Sequence, residues 1–338
     1  MRSDTVTLPT EAMLDAMRNA ALGDDVFGED PTVNRLEETA AGLLGKEAAL
    51  LVVSGTMGNL VAVMAHASRG DEALVDPEAH IAYYEAGGIA SVAGVMPRPL
   101  PSRDGILDPD DVAAAIRPRN LHFPLPKLLC LENTHNRAGG RVTPLSVHNR
   151  LCETAHMNGL AVHLDGARIF NAALAAGVRA SAYAGRTDSV MFCLSKGLSC
   201  PVGSLLVGSK EFIAKARRCR KVIGGGMRQA GVIAAAGLVA LSGMIERLAE
   251  DHANARRLAK GLNDIPRFHI ATDAVETNIF NARLEGIAAR EVCARMRQKG
   301  VLALARSATT IRFVTNRHHT PEVVEEALGR IRDAVRQP

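Results

Sequence analysis

Tryptophan is absent from this chain, and aromatic residues make up only 3% of its 338 positions. That scarcity, beside 30 glycines, argues against a platform on which nucleic-acid bases stack and favours helices packed closely on sheet. The six cysteines contain no C-x-x-C pair and no tight framework spacing. They read as reduced, mostly buried thiols of a cytoplasmic protein. The opening Met1-Arg-Ser-Asp-Thr5 carries no apolar signal core. The longest uncharged run, 230–245, falls short of the roughly 20 residues of a membrane span. Its many small residues predict a helix packed on all sides, with another subunit as one candidate neighbour. Charge of one sign is also lacking. A net +4 spread along the chain suits an anionic ligand better than DNA or a membrane surface.

What is present is an ordinary globular composition, 47% apolar and 22% charged, in a chain long enough for two unequal domains. Short apolar runs at 48–53, 72–76, 92–96, 127–131, 160–165, 189–194 and 203–208 alternate with helical stretches such as 109–117 and 144–158. Asp108 caps the former and Thr143-Pro144 opens the latter. The alternation predicts a doubly wound α/β domain with a mainly parallel sheet, and ligands at the carboxyl ends of its strands. The proline-punctuated stretches 97–101 and 122–126 read as loops. After 245 the pattern changes to a charged amphipathic helix and short strands, the mark of a smaller α+β domain. The expected division is an N-terminal segment 1–25, a large domain 26–245 and a small domain 246–338.

Lys196 follows the apolar run Ser189-Val-Met-Phe-Cys-Leu194 and precedes Gly197. An amine at the dry end of a strand is suited to forming a Schiff base, although a surface lysine capping a strand fits the same local pattern. The second element decides. Asp165, in His163-Leu-Asp-Gly-Ala-Arg168, ends the strand before it and offers an acid for a pyridinium nitrogen. Lysine plus acid is the pairing that pyridoxal phosphate requires. The segment Leu51-Val-Val-Ser-Gly-Thr-Met-Gly-Asn59 runs a strand into a helix through a turn. Free N–H groups there and the Thr56 hydroxyl can cradle a phosphate, or simply form a tight turn. His80, just past a strand, is placed to lie over a ring or move a proton. His163 and Asp165 share a strand face, yet no third ligand stands at metal spacing, so a zinc site is rejected. In Thr309-Thr-Ile-Arg-Phe-Val-Thr315, alternation turns Arg312 away from Ile311 and Phe313, where it can grip a carboxylate or simply be an exposed edge-strand arginine. Three glycines at 224–226 before Arg228 imply unusual backbone angles or close approach to something.

These segments, with Arg2-Ser-Asp-Thr-Val-Thr7, Gly23-Asp-Asp-Val-Phe-Gly28, Leu131-Glu-Asn-Thr-His-Asn136 and Pro201-Val-Gly-Ser204, resemble the L-threonine aldolases of the aspartate-aminotransferase-like pyridoxal phosphate enzymes. The resemblance spans nearly the whole chain. It implies a Schiff base on Lys196, a ring nitrogen on Asp165, stacking by His80 and phosphate on Gly55 and Thr56. It also implies a substrate carboxylate held by Ser3, Arg168 and Arg312, and a second histidine, His122, near the substrate side chain. Lys221 and Arg228 would reach a site shared between subunits of a homotetramer built from close dimers. Phe27 stands where many members have tyrosine. The expected reaction is retro-aldol cleavage of L-threonine, L-allo-threonine and related β-hydroxy-α-amino acids to glycine and an aldehyde. The alternatives are a phenylserine-selective aldolase or a β-eliminating lyase of the same fold. The general base is His80, His122 or a water held by them.

Overall fold

The computed structural model describes residues 1–336. In chain order the strands are β1 (Ala48–Val52), β2 (Glu72–Val75), β3 (Met96–Pro99), β4 (Ser102–Arg103), β5 (Ile106–Leu107), β6 (Pro126–Glu132), β7 (Ala161–Asp165), β8 (Ser189–Cys193) and β9 (Ser204–Gly208). β10 (Phe268–His269), β11 (Ile279–Leu284), β12 (Leu304–Ala305) and β13 (Thr310–Val314) follow. The helices begin with α1 (Glu11–Arg18), α2 (Pro31–Leu44), α3 (Gly55–His66), α4 (His80–Tyr83), α5 (Gly88–Ser91), α6 (Pro109–Ala115) and α7 (Leu145–Met157). They continue with α8 (Ile169–Ala176), α9 (Ala180–Ala184), α10 (Lys210–Val222), α11 (Gly231–Gly243), α12 (Leu248–Asn263), α13 (Ala289–Gln298) and α14 (Pro321–Arg336).

One seven-stranded sheet has the order β1-β9-β8-β7-β6-β2-β3. All neighbours from β8 to β3 are parallel, and β9 runs antiparallel to both β8 and β1. β8 and β9 are buried along their whole length and β7 from Val162 onward, as in sheets covered by helices on both faces. This is the mainly parallel α/β layer that the alternating pattern predicts. One expected strand is displaced. Residues 88–91 form α5, and the strand expected at 92–96 begins at Met96 and takes in Pro97 and Pro99, which read as loop. β3 is the sheet edge, paired only with β2, and prolines are tolerated there because their missing N–H groups cost no ladder bond.

Helix starts follow from capping chemistry. Asp30 accepts hydrogen bonds from the N–H groups of Thr32 and Val33 ahead of Pro31, and Ser54 accepts from Met57 N. The small-residue helix α11 packs on α1 and α2 within the chain. A Cβ at Gly237 would lie 2.9 Å from Leu36 Cδ2, so these helices touch nearly backbone to side chain. No single helix among the described residues is long and apolar enough to cross a membrane.

A second hydrophobic core, drawn from residues between 255 and 335, lies under the antiparallel sheet β10-β11-β13-β12. Helix α12 serves both cores: Leu248 joins the large one, Ala255, Leu258 and Leu262 the second. The N-terminal residues also touch both parts. The Met1 carbonyl accepts a hydrogen bond from Val314 N, and Asp4 reaches Arg168.

Candidate active site

The carboxyl ends of β6, β7 and β8 open into a cavity of about 340 Å³. Its lining includes Ser3, His80, Arg168, Lys196 and Arg312, contributed by segments far apart in sequence. Lys196 follows β8 by three residues. Its main chain is held by the Thr7 hydroxyl, which donates to the Lys196 carbonyl (2.9 Å), and by Ser199 N–H on the same carbonyl (2.8 Å). Gly197 lets α12 pack close beside it, since a Cβ there would meet Leu248 Cδ2 at 2.7 Å.

Asp165 ends β7 and is buried beneath the cavity. Its Oδ1 accepts from Ala167 N–H (3.0 Å) and its Oδ2 from Asn59 Nδ2 (2.8 Å). The Asn59 amide also donates to Glu85 Oε1 (2.8 Å), and that same oxygen lies 2.8 Å from His80 Nδ1. Burial works to lower the His80 pKa, but the Glu85 hydrogen bond and the charges of Asp165 and Glu85 raise it overall. Burial likewise raises the Glu85 pKa, against the hydrogen bonds it accepts. With Nδ1–H given to Glu85, His80 keeps Nε2 as its free nitrogen.

Helix α3 starts against the end of β8. A Cβ at Gly55 would sit 3.0 Å from Cys193 Sγ and 3.2 Å from Met191 Cε. The N–H groups of Gly55 and Thr56 have no partner among the described residues. They point an unmet donor pair, at the positive end of a helix, toward the strand termini. Of the glycines at 224–226, Gly225 approaches the first turn of α3, where a Cβ on it would collide with Met57 Sδ at 2.5 Å.

Four guanidinium groups line the cavity, and those of Arg137 and Arg306 are paired with Glu78, which leaves Arg312 and Arg168. Arg312 donates through Nη1 to Asn136 Oδ1 (2.6 Å), while its Nε is buried without a partner. Burial and the neighbouring charge of Arg168 lower the Arg312 pKa, a repulsion that an anion between them would relieve. The strand alternation read from the sequence holds: Ile311 and Phe313 are buried in the second core and Arg312 turns to the cavity. Arg168 is already partly engaged. Its fork does not stand free for a carboxylate: Nε and Nη2 clasp Asp4 at 2.7 and 2.6 Å, leaving Nη1. Burial would raise the Asp4 carboxyl, but Arg168, helped by Lys196 and Asn278, brings it down to about 2. Removing one partner of so buried a pair costs about 3–5 kcal/mol. Asp4 therefore sets the Arg168 side chain in place.

Other expected residues lie elsewhere. His122 is exposed on the loop before β6 and does not line the cavity, so a role for it requires a neighbouring copy. Arg228 pairs with Asp24 (2.8 Å) outside the cavity, and Phe27 is 73% exposed. Sequence reasoning missed Asp4, Asn59, Glu85 and Asn136. Asn59 alone left a trace, as a fully buried polar residue in the apolar run of α3.

An electrophile-binding lysine, a carboxylate one strand away, an unmet anion cradle at a helix start and two guanidiniums fit pyridoxal 5'-phosphate with an amino-acid carboxylate. The chain is a pyridoxal phosphate enzyme of the aspartate-aminotransferase-like fold. The model of the beta-eliminating lyase family matches residues 1–285, and the chain belongs to that family. It is 47% identical over 336 residues to a probable low-specificity L-threonine aldolase 2 of Arabidopsis thaliana, covering 97% of this chain and 95% of the relative. It is 45% identical over 317 residues to a low specificity L-threonine aldolase of Escherichia coli K12, covering 94% and 93%. A putative L-allo-threonine aldolase from Listeria monocytogenes superposes with a TM-score of 0.80 at 21% identity, over 96% of this chain and 92% of the other. A serine palmitoyltransferase of Sphingomonas wittichii superposes at 0.78 with 18% identity, over 97% and 84%. These last two likenesses speak to the fold.

Proposed function

We propose that this lyase cleaves L-threonine, L-allo-threonine and related β-hydroxy-α-amino acids to glycine and an aldehyde. The observation that carries the reading is His80. Its Nδ1 is tied to Glu85, and its Nε2 is left to take a hydroxyl proton in the cavity that holds Lys196 and Arg312. Pyridoxal phosphate, when bound, supplies a carbonyl for the amine and an electron sink for the cleaved bond. Lys196 would be its attachment point, Asp165 would pair with the ring nitrogen, and the N–H groups of Gly55 and Thr56 would meet the phosphate. Arg312, with Arg168 Nη1 and Ser3, holds the substrate carboxylate and so fixes which bond at Cα is presented for cleavage. His80 Nε2 removes the β-hydroxyl proton, directly or through a water. The relatives' names support this substrate class. Supplying L-threonine and L-allo-threonine and assaying acetaldehyde and glycine against ammonia and 2-oxobutanoate tests it. Ammonia as the main product would instead establish β-elimination.

If His80 is the base, kcat/KM falls on the acid side as Nε2 gains its proton, at a pH above the ordinary imidazole value of 6.5 because the folded-state pKa is raised. Glu85→Gln removes a charge that favours the imidazolium, so the limb is expected to move down by roughly one pH unit. A pH–rate profile of both proteins measures this, and an unmoved limb would take the base role from His80. Arg312→Lys is expected to weaken glycine binding about ten- to a hundredfold, because an ammonium cannot replace the planar guanidinium. Cofactor affinity stays intact in that variant. Spectral titration with glycine reads both, and unchanged glycine affinity would leave Arg168 and Ser3 as the anchors.

The proposal extends to a cytoplasmic homotetramer with sites shared between subunits. Exposed Phe27, Leu121 and Val222, at 73%, 95% and 71%, support contact between copies, and six unpaired cysteines, four of them buried, support a reducing compartment. Sedimentation analysis of the cofactor-loaded protein tests the assembly.

A further inference from the structure

Beneath the cavity a chain of buried polar groups runs along α3 and takes no part in the chemistry assigned so far. Asn59 and His66 lie seven residues apart on this helix, about 10.5 Å along its axis. His163 of β7 and Ser189 of β8, which face each other in register, fill the space between them. His66 Nε2 lies 2.8 Å from Ser189 Oγ, which lies 2.8 Å from His163 Nδ1, and His163 Nε2 lies 3.0 Å from Asn59 Oδ1. At its far end His66 stacks on Phe212 and lines a separate cavity with Lys46, Asp188 and Lys215.

The direction of every hydrogen bond in this chain follows by elimination. Asp165 and Glu85 are acceptors, so the Asn59 amide nitrogen must face them and its oxygen must face His163. That oxygen requires a donor, so His163 carries its proton on Nε2. Burial lowers the His163 pKa to about 3, so the ring is neutral and its Nδ1 accepts. Ser189 must then donate its only hydroxyl proton to Nδ1 and accept from His66 Nε2–H. His66 is also neutral, its pKa lowered to about 4 by burial. One arrangement satisfies all six groups.

We propose that Asn59 is a positioning residue, held in one orientation by His163, Ser189 and His66, that fixes the carboxylates of Asp165 and Glu85 together and thereby couples the ring-nitrogen partner to the state of His80. This rests on the roles given to Asp165 and His80 above. The groups facing His80 are Glu85, Asp165 and Lys196, with Glu132 on its backbone N–H and Tyr84 at 5.3 Å ring to ring. Arg137, Arg168, Arg306 and Arg312 line the same cavity. Of these, the two carboxylates that Asn59 bonds both favour the imidazolium. Without the amide donor Glu85 holds its proton more readily, so His80 loses a negative partner and its pKa falls.

The test compares Asn59→Leu, His163→Leu and His163→Gln in the cofactor-loaded protein. Glutamine can place an amide donor where His163 Nε2 stands. His80 is followed by NMR titration of its ring, the acid limb by kcat/KM, and cofactor affinity by titration of stripped protein. Asn59→Leu and His163→Leu are expected to lower the His80 midpoint and the acid limb together. Both should also weaken cofactor binding about tenfold or more, and His163→Gln should restore most of each. Where His163→Leu fails to fold, Ser189→Ala takes its place and shifts the midpoint in the same direction by less. A residue that merely fills the core would change thermal stability and leave the titration unmoved. Unmoved midpoints in Asn59→Leu overturn the proposal. A shift in Asn59→Leu with none in the His163 or Ser189 variants overturns the relay. If Glu85→Gln itself leaves the acid limb in place, the His80 assignment has failed instead, and the NMR midpoint separates the two failures.

Discussion

Lys196→Ala is expected to fold with a melting temperature close to that of the parent and to lose turnover by roughly 10⁴-fold or more. The stability half follows from surroundings: the side chain lines a cavity, and its amine has no hydrogen-bond partner among the described residues. What anchors this segment is its main chain, through Thr7 and Ser199, and alanine keeps both bonds. The activity half follows from position, because no other lysine lines the cavity and can replace the attachment amine. Turnover of L-threonine and the visible absorption of the loaded protein measure the two halves of the site's loss. Aldol cleavage within tenfold of the parent rate would remove Lys196 from the mechanism.

Asp165→Asn should cost cofactor affinity about ten- to a hundredfold and turnover on the order of a hundred- to a thousandfold. A neutral amide no longer favours a protonated ring nitrogen. It also has one donor too many, because Ala167 N–H and Asn59 Nδ2 already donate to the two oxygens. Whichever way the new amide turns, its nitrogen faces a donor. Titration of pyridoxal phosphate into stripped protein gives the affinity, and steady-state kinetics the rate. Unchanged values in both would end the pairing of Asp165 with the ring.

Lys196, Asp165 and the turn at Gly55 and Thr56 were legible in the sequence because each ends a short apolar run, and the fold class follows from the same runs. Arg312 was legible through strand alternation. The edge strand β3 was hidden by Pro97 and Pro99, since turn chemistry and edge-strand tolerance use the same residue. The partners that orient the site are set by tertiary contact alone. Asp4 meets Arg168 across 164 positions, and Asn59 meets Asp165 across 106, separations that no local pattern encodes. His122 is the opposite case, a residue carried by resemblance that its own chain leaves in solvent and that only a neighbouring copy could bring to a site.

The clasp at the N-terminal segment also bears on synthesis. Thr7 holds Lys196, Asp4 holds Arg168 and accepts from Asn278, and the Ser3 carbonyl accepts from Asn316. This segment thus waits for partners 274 and 313 residues further along the chain. The parallel sheet can assemble while translation continues, but these contacts close over very long loops, the slowest kind to form. A nascent chain stalled before Asn278 is therefore expected to hold a folded sheet and an inert cleft.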